Sequence, residues 1–341
     1  GKADNNGGAI NLLTKDMVLV MQDNGGAYLF DLNTKKFTKN EIDLQTSFLN
    51  IRDVKVEKET KEILILGVSK TLDDCRVLKL ISLNYKIDKE TIKTDKEQEI
   101  FSSEKVCDDL APIRHSGARV IYYNSNYYIA VGMFSRINTT THIGGISRDP
   151  QDSSNTLGKI IKVNKDKEFS IYSMGHRNPQ GLFFSRKKNL IFSTEHGPRG
   201  GDELNIIEEG GNYGWPCVTL GTFYIYKLTN IESDMWRSIN EIDGCNKEQV
   251  YQDPAYTWTP SIAISQGFEY EGGHFKKFKN NLIIGSLGGG SIFRVHLTKS
   301  NKIVNIERIE IKERVRDIIE VNDGKILVYT DSQSLILITK S

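Results

Sequence analysis

The sequence lacks the features that mark several large classes of protein. Its 45 lysines and arginines are balanced by 44 aspartates and glutamates, so the net charge of the 341 residues is +1. This balance argues against a nucleic-acid-binding protein, which needs a broad basic field, and against an acidic disordered chain. No apolar run approaches the roughly 20 residues of a membrane helix. The start, GKADNNGG, has no apolar signal-peptide core, which suggests a mature or trimmed chain.

Cysteine is scarce, and none of the four cysteines belongs to a C-x-x-C pair. The absence of that pair weakens the case for a zinc site and for a thioredoxin-like redox motif. An even number of cysteines fits two disulfides, and pairing between sequence neighbours joins Cys75 to Cys107 and Cys217 to Cys245. Two disulfides imply an exported protein, periplasmic or secreted, whereas four buried free thiols in a cytosolic protein are the alternative.

Proline is rare and helical periodicity is scarce, but short strand patterns recur along the chain. With 7 prolines against 29 glycines, 14 tyrosines and 14 phenylalanines, the composition suits strands joined by tight turns. The repeated unit is a polar turn, an apolar or alternating run, a small or acidic residue, and a second run. Six such units begin at Leu13, Lys58, Tyr123, Ser185, Phe278 and Val321.

Six irregular repeats of short antiparallel strands predict an all-β fold, a six-bladed β-propeller of four-stranded sheets. Each small sheet is apolar on both faces and must stack on its neighbours, and a closed ring leaves no open end. A large β-sandwich or two all-β domains are the alternatives. No linker rich in Pro, Gly and Ser divides the chain, so we expect one domain over residues 1–341, with a long inter-blade loop or insertion at about 216–256.

The densest cluster of unusual residues lies between Gly175 and Pro216. It reads GHRNPQGLFF at 175–184 and STEHGPRGGDELNIIEEGGNYGWP at 193–216. A strand pair separates the two pieces, so both are expected at one end of a blade. Polar loops presented by a rigid scaffold commonly carry function.

These strings resemble the soluble quinoprotein sugar dehydrogenases, the glucose/sorbosone (aldose sugar) dehydrogenase family that depends on pyrroloquinoline quinone (PQQ). Further matching strings are HSGARV at 115–120, LGKIIKV at 157–163, WTPSIA at 258–263 and RVRD at 314–317. They occur in family order, which is far more specific than a single short motif. The family has a six-bladed propeller fold, in agreement with the independent count of units.

The resemblance implies a role for each of several residues. By position in HSGARV, His115 would be the general base that takes the proton of the sugar's anomeric hydroxyl. Arg177 would lie beside the quinone and stabilise the developing oxyanion. The carbonyl oxygens of Gly197 and Pro198 would hold a calcium ion. The residues expected to bind the cofactor are Arg177, Asn178, His196, Asp202, Arg314 and Arg316.

Each of these assignments has a simpler structural alternative. A single histidine at the start of a strand often caps or packs, and Asp202 suits a turn. Arg314 and Arg316 alternate with Val315, so both point to one face of an extended segment and can fork onto carboxylates. Taken alone, this R-V-R pattern also describes a solvated strand face.

Three positions depart from the family pattern. The family places a lysine that contacts the cofactor where this chain has Gly288, after Ser286-Leu287. Without compensation, the loss of that cation costs about 1.5–3 kcal/mol of binding. Met133 follows Gly132 where an aspartate usually stands, so a sugar-contacting carboxylate is missing, and His196 replaces a glutamine of several relatives.

The sequence therefore predicts a PQQ- and calcium-dependent enzyme that oxidises aldose sugars or related alcohols. Its electrons would pass to an external acceptor, and neither nucleic-acid binding nor membrane insertion is expected. The alternative is a propeller that has lost the cofactor and binds glycans or proteins, which the missing lysine and aspartate support. A calcium-stabilised lactone hydrolase rests on analogy of fold alone.

Overall fold

The computed structural model describes residues 7–107, 115–134, 149–222, 245 and 248–340. In this part of the chain, small and mainly antiparallel sheets form a six-bladed β-propeller. The helical segments among these residues are three short 3-10 turns, at Asp149–Gln151, Lys276–Phe278 and Asn322–Gly324. None of the described helices is long and apolar enough to cross a membrane.

The first three blades follow one another along the chain, each from its innermost strand outward. Blade I contains β1 (Gly8–Leu12), β2 (Met17–Gln22), β3 (Ala27–Asp31) and β4 (Phe37–Asn40). Blade II contains β5 (Phe48–Glu57), β6 (Glu62–Lys70), β7 (Arg76–Asp88), β8 (Thr91–Thr94) and β9 (Gln98–Ser102). Blade III contains β10 (Gly117–Tyr123), β11 (Asn126–Val131), β12 (Lys159–Val163) and β13 (Phe169–Met174). It gains a fifth strand, β17 (Gly211–Asn212), which runs parallel to β13.

The remaining blades repeat the same order. Blade IV contains β14 (Pro179–Ser185), β15 (Leu190–Glu195), β16 (Asp202–Ile207) and β18 (Tyr256–Trp258). Blade V contains β19 (Ile264–Glu269), β20 (Leu282–Ser286), β21 (Ser291–Leu297) and β22 (Ile303–Glu310). Blade VI contains β23 (Val315–Val321), β24 (Lys325–Thr330) and β25 (Leu335–Ile338).

Apolar clusters between neighbouring blades close the ring. In β6, seven successive residues are buried, because both faces of an inner strand of a blade pack on other blades. Six buried clusters are present among the described residues, and each joins two adjacent blades. The cluster that contains Ile10, Val20 and Leu327 joins the last blade to the first. Hydrophobic burial therefore runs around the whole ring.

The fold predicted from the sequence is confirmed, with one correction to the strand count. Each of the six repeated units contributes strands to a different sheet. Blades I, IV and V have four strands, whereas blades II and III have five and the described part of blade VI has three. In blade II, the long strand β7 pairs with both β8 and β9. Such additions at an outer edge do not alter the packing between blades.

Both predicted disulfides are present. Cys75 is bonded to Cys107, and Cys217 is bonded to Cys245. The second disulfide belongs to the region expected as an inter-blade insertion, which in the chain falls between β16 and β18 of the same blade. Residues 223–244 and 246–247 of that region lie outside the described part of the chain, as does Arg114 next to His115.

β-bulges shape the innermost strands, which surround the central axis. The ladder register shifts in β5, β10, β14, β19 and β23, each next to the start of its strand. A bulge turns the extra residue out of the regular alternation and can re-aim its side chain. Arg52, Gln180 and Arg316 are such extra residues. We call the end of the ring where the innermost strands begin the upper mouth, and the other end the lower mouth.

Candidate active site

The fold brings the predicted site residues to the upper mouth. His115, Arg177 and Arg314 precede innermost strands of blades III, IV and VI, while His196 and Gly197 follow β15 in the second loop of blade IV. All of these segments face the same end of the ring because the strands of each blade alternate in direction. The polar loops of separate blades therefore meet, as expected for residues carried by a propeller scaffold.

His115 and Arg177 are in contact, although they are 62 positions apart. The Arg177 Nη2 group lies 3.3 Å from His115 Nε2. A guanidinium can only donate, so Nε2 must present its lone pair and the imidazole must be neutral. A neutral imidazole is the form that a general base requires, and its Nε2 lone pair becomes available when Arg177 donates elsewhere.

The turn that carries His115 depends on the absence of a side chain at Gly132. His115 has a φ of +58°, which places it in the left-handed region. A Cβ atom at Gly132 would lie 2.1 Å from the His115 carbonyl oxygen. Phe134 N–H donates to that same carbonyl at 2.9 Å. Gly132 thus allows blade III to hold the His115 turn by backbone contacts.

Arg177 is fixed by contacts on both its side chain and its backbone. Its Nη1 group donates to the carbonyl oxygens of His196 at 3.1 Å and Gly197 at 2.8 Å. The indole ring of Trp215 lies 5.2 Å from the guanidinium carbon, which is a cation–π contact. The Arg177 and Asn178 N–H groups both donate to Glu195 Oε1. The guanidinium is therefore held in a defined position beside His115.

Asn178 links the His115 turn to His196. Its Oδ1 accepts from Gly117 N–H at 3.2 Å, and its Nδ2 donates to His196 Nδ1 at 3.4 Å. His196 Nε2 in turn donates to the Ile264 carbonyl at 2.6 Å. Burial lowers the pKa of His196, which favours the neutral ring that this pattern of donors requires. Both residues position the loops of the upper mouth.

The carboxylate of Asp202 is occupied by hydrogen bonds from the protein and is not directed at a metal site. Oδ1 accepts from Gly197 N–H and the Ser261 hydroxyl, and Oδ2 accepts from the N–H groups of Ile262 and Ile264. The Gly197 carbonyl already faces Arg177. A hard dication needs several free oxygen ligands and is repelled by a guanidinium at this distance. In this arrangement, the predicted residues do not fit a calcium ion.

Arg314 and Arg316 converge on one carboxylate, that of Asp331. Arg314 Nε lies 2.6 Å from Asp331 Oδ2, and Arg316 Nε lies 2.7 Å from Oδ1. The two arginines do fork onto a carboxylate, as predicted, although Arg316 is the extra residue of the β23 bulge and not part of a regular alternation. That carboxylate comes from the protein itself, at the turn between β24 and β25. A tricarboxylate cofactor would have to compete with Asp331 for these two donors.

The backbone around Gly288 disfavours a side chain at that position, and a further buried cation, Arg52, lies near Arg316. A Cβ atom at Gly288 would lie 2.9 Å from the Ile262 carbonyl oxygen, so a side chain there requires the loop to shift. Arg52 interacts electrostatically with Arg316, Arg119 and Asp331. Burial and these like charges lower the pKa of Arg52 to about 10, a value at which it stays cationic at neutral pH.

Below the upper mouth, Arg119 crosses the central axis. From β10 it donates to the Gln180 carbonyl at 2.8 Å and to the Arg316 carbonyl at 3.1 Å, on the opposite side of the ring. Its Nη1 group lies 3.2 Å from Asp53 and 3.6 Å from Asp317, and both carboxylates are fully buried. We call this layer of buried charges, which lies between the two mouths, the floor.

Several of these residues were missed by reasoning from the sequence. Trp215 flanks Arg177 and donates to the sulfur of Met133. Asp331, Arg52 and Arg119 were not identified at all. Arg119 lies inside HSGARV and gave a usable signal, because a charged residue in the middle of an apolar innermost strand is buried only with partners. Asp331 lies in an ordinary hairpin turn and carried no signal.

Comparison with known proteins assigns the chain to a family. A family model described as glucose/sorbosone dehydrogenase matches residues 51–339. The aldose sugar dehydrogenase YliI of Escherichia coli is 29% identical over 238 residues, which cover 64% of this chain and 58% of that protein. Quinoprotein glucose dehydrogenase B of Acinetobacter calcoaceticus is 29% identical over 237 residues, covering 53% of this chain and 49% of that protein. The chain thus spans about half the length of the curated relatives it matches.

Solved structures show the same fold. The apo form of the soluble aldose sugar dehydrogenase of Escherichia coli has a TM-score of 0.77 at 22% identity, covering 96% of this chain and 94% of that chain. The PQQ-bound aldose sugar dehydrogenase of Streptomyces coelicolor has a TM-score of 0.68 at 19% identity, covering 95% and 88%. Since the family model covers most of the sequence, the chain belongs to the glucose/sorbosone dehydrogenase family.

Proposed function

We propose that this protein is an exported quinoprotein dehydrogenase that oxidises aldose sugars or related alcohols with PQQ as its cofactor. The observation that carries the proposal is the contact between His115 Nε2 and Arg177 Nη2 at 3.3 Å. A neutral imidazole and a fixed cation lie side by side there, as proton removal from a hydroxyl and stabilisation of the resulting oxyanion require. The two disulfides support export.

The charges at the upper mouth fit PQQ, a planar tricarboxylate. Arg177, Arg314, Arg316 and Arg52 supply four guanidinium groups, against the carboxylates of Asp331 and, beside Arg52, Asp23. Arg314 and Arg316 would hold carboxylates of the cofactor in place of Asp331. Arg52 would supply the positive field that the missing lysine supplies in relatives. The calcium ion that the resemblance assigns to Gly197 and Pro198 is not part of the proposal, because the Gly197 carbonyl accepts from Arg177 in this structure, and no step below uses it.

In the proposed reaction, His115 and Arg177 have different roles. When bound, PQQ would supply an o-quinone that accepts the hydride from the anomeric carbon of the sugar. His115 Nε2 would take the proton of the anomeric hydroxyl, so that the C–H and O–H bonds break and a lactone remains. Arg177 Nη2, which donates to Nε2 in the free protein, would turn its hydrogen bond to the oxygen of the substrate. Electrons would then pass to an external acceptor.

Reconstitution tests the proposal directly. The purified protein is titrated with PQQ, with and without added calcium, and is then assayed for reduction of a dye by a panel of aldoses. We expect a quinone absorbance that follows the protein and dye reduction that depends on sugar. Saturating PQQ without any spectral change or turnover would contradict the proposal.

The Asp331 contact also favours a second candidate, a propeller of this family that binds glycans or proteins without a cofactor. In that case Asp331 would keep Arg314 and Arg316 permanently paired, as they are in the free protein. Tight binding of a sugar by the protein without PQQ, combined with no uptake of PQQ, would support this reading over the first.

The substitution Asp331→Asn tests whether PQQ can displace Asp331 from Arg314 and Arg316. The substitution keeps the shape of the side chain but removes the charge that competes with the cofactor. We expect PQQ to bind about tenfold more tightly, because two guanidinium groups no longer exchange one carboxylate for another. Equilibrium titration of PQQ measures the change. A weaker affinity than that of the unsubstituted protein would mean that Asp331 orients the arginines for the cofactor instead.

A further inference from the structure

A large chamber opens at the lower mouth, on the far side of the floor formed by Arg119. Its volume is about 940 Å³, and its walls come from the ends of the innermost strands, including Tyr122 of β10, Phe184 of β14 and Phe268 of β19. Arg119, which joins β10 to Gln180 and Arg316 across the axis, lies between the chamber and the upper mouth. None of the residues assigned above to sugar oxidation lines it.

Acidic side chains dominate the charge of the chamber. Acidic residues outnumber basic residues in its wall by five to two. The acidic residues are Glu57, Glu269, Glu271, Glu320 and Asp323, and the basic residues are Lys55 and Arg186. Lys55 lies 3.8 Å from the fully buried Asp53, so part of its charge is balanced outside the chamber. Arg186 is largely exposed, and its 3.9 Å contact with Glu271 is a weak surface pair.

Glu269 has unused acceptor capacity in this wall. The residue is only 6% exposed. Its Oε2 accepts a hydrogen bond from Lys187 N–H at 3.0 Å, whereas its buried Oε1 has no hydrogen-bond partner among the described residues. A buried carboxylate oxygen without a donor is unfavourable, and a bound cation would relieve the cost.

Aromatic rings lie in the same wall as these carboxylates. Tyr123 and Phe184 stack at a centroid distance of 3.8 Å, and Tyr122 and Phe268 line other parts of the chamber wall. Aromatic faces attract organic cations, and the attraction increases where water is excluded. Inorganic cations prefer oxygen ligands and gain little from such walls.

We propose that the lower chamber is a second binding site, distinct from the upper mouth, for a small organic ammonium ion. The ring faces would contact its alkyl groups, and the carboxylates of Glu57, Glu269 and Glu320 would balance its charge. Burial raises the pKa of Glu57 to about 7, and neighbouring Glu59 and Glu62 add to the effect. Burial also raises the pKa of Glu320. Lys55 and Arg186 oppose the rise in the pKa of Glu57 only in part, so the charge of these carboxylates is incompletely compensated.

Calorimetric titration with choline tests the proposal on the intact protein without PQQ. Its neutral isostere, 3,3-dimethylbutan-1-ol, has the same shape without the charge, and glucose represents a neutral sugar. We expect choline to bind at least about tenfold more tightly than either compound. Equal binding of choline and the isostere, preferential binding of glucose, or no binding of choline would overturn the proposal. Because PQQ is absent, failure here leaves the proposed oxidation unaffected.

Substitutions locate the site. Glu57→Gln and Glu269→Gln are each expected to weaken choline binding about tenfold, since each removes a carboxylate from the chamber. Tyr122→Leu is expected to weaken it about threefold or more through the lost ring face. Glu310→Gln is the matched control, because Glu310 is exposed at the end of the outer strand β22. Thermal unfolding confirms that each variant is folded, and unchanged binding in folded Glu57→Gln and Tyr122→Leu variants would place choline elsewhere.

Discussion

Replacing His115 by alanine is expected to lower dye reduction by aldoses about 10²- to 10⁴-fold, the usual contribution of a positioned general base. The uptake of PQQ should change little, because the imidazole of His115 carries no charge in its contact with Arg177. Steady-state rates and equilibrium titration of PQQ, measured on the same preparations, separate the two effects.

Two controls distinguish catalysis by His115 from a structural role. Added imidazole should restore part of the rate to the His115→Ala variant, because the freed space can admit the missing base. His296→Ala provides a matched substitution at an exposed histidine of β21, and its rate should be unchanged. A His115→Ala variant that keeps its turnover, or that loses both turnover and PQQ uptake, would remove His115 as the base.

Replacing Arg119 by alanine is expected to destabilise the fold by about 3–5 kcal/mol, the cost of leaving buried charges without their partner. Asp53 and Asp317 are both fully buried, and Arg119 lies within 3.6 Å of each. The lost hydrogen bonds to the carbonyls of Gln180 and Arg316 also remove a link across the ring. Chemical denaturation measures the change, and a loss below about 1 kcal/mol would contradict this account of the floor.

The destabilisation should depend on pH in a defined direction. Burial raises the pKa of Asp317 above its ordinary value of 3.8, while the charge of Arg119 opposes the shift. A carboxyl whose pKa is higher in the folded state stabilises the fold when protonated, and this stability is lost as pH rises through the folded pKa. Without Arg119 the folded pKa rises further, so the variant should lose more stability at pH 7 than at pH 4. Arg308→Ala, at an exposed arginine, should show no such dependence.

Much of the architecture could be predicted from the sequence because the repeated units reflect local hydrophobic patterns and turns. Each unit pairs two apolar runs across a turn, and the pattern is sufficient to predict a hairpin at the centre of each blade. Additions at outer edges were not predictable in the same way. The two residues of β17 join β13 in parallel, and nothing in a Gly-Asn pair indicates a strand.

For a related reason, only some residues of the site could be predicted from the sequence. His115 and Arg177 lie next to the starts of innermost strands, so the propeller brings them together once the blades are assigned. Asp331 is different, because only the side-chain geometry shows that it occupies both Arg314 and Arg316. The role of Arg52 depends on a bulge between Ile51 and Asp53, and bulges are not visible in a hydrophobic pattern.

The proposed function depends on whether the arginines of the upper mouth bind the cofactor although Gly288 replaces the usual lysine. Equilibrium titration of PQQ against the protein and its Arg316→Ala variant measures this most directly. The account predicts saturable one-to-one binding that weakens at least about tenfold in the variant, because a nearly buried guanidinium is lost. Binding that does not saturate, or that is equally tight in both proteins, would contradict it.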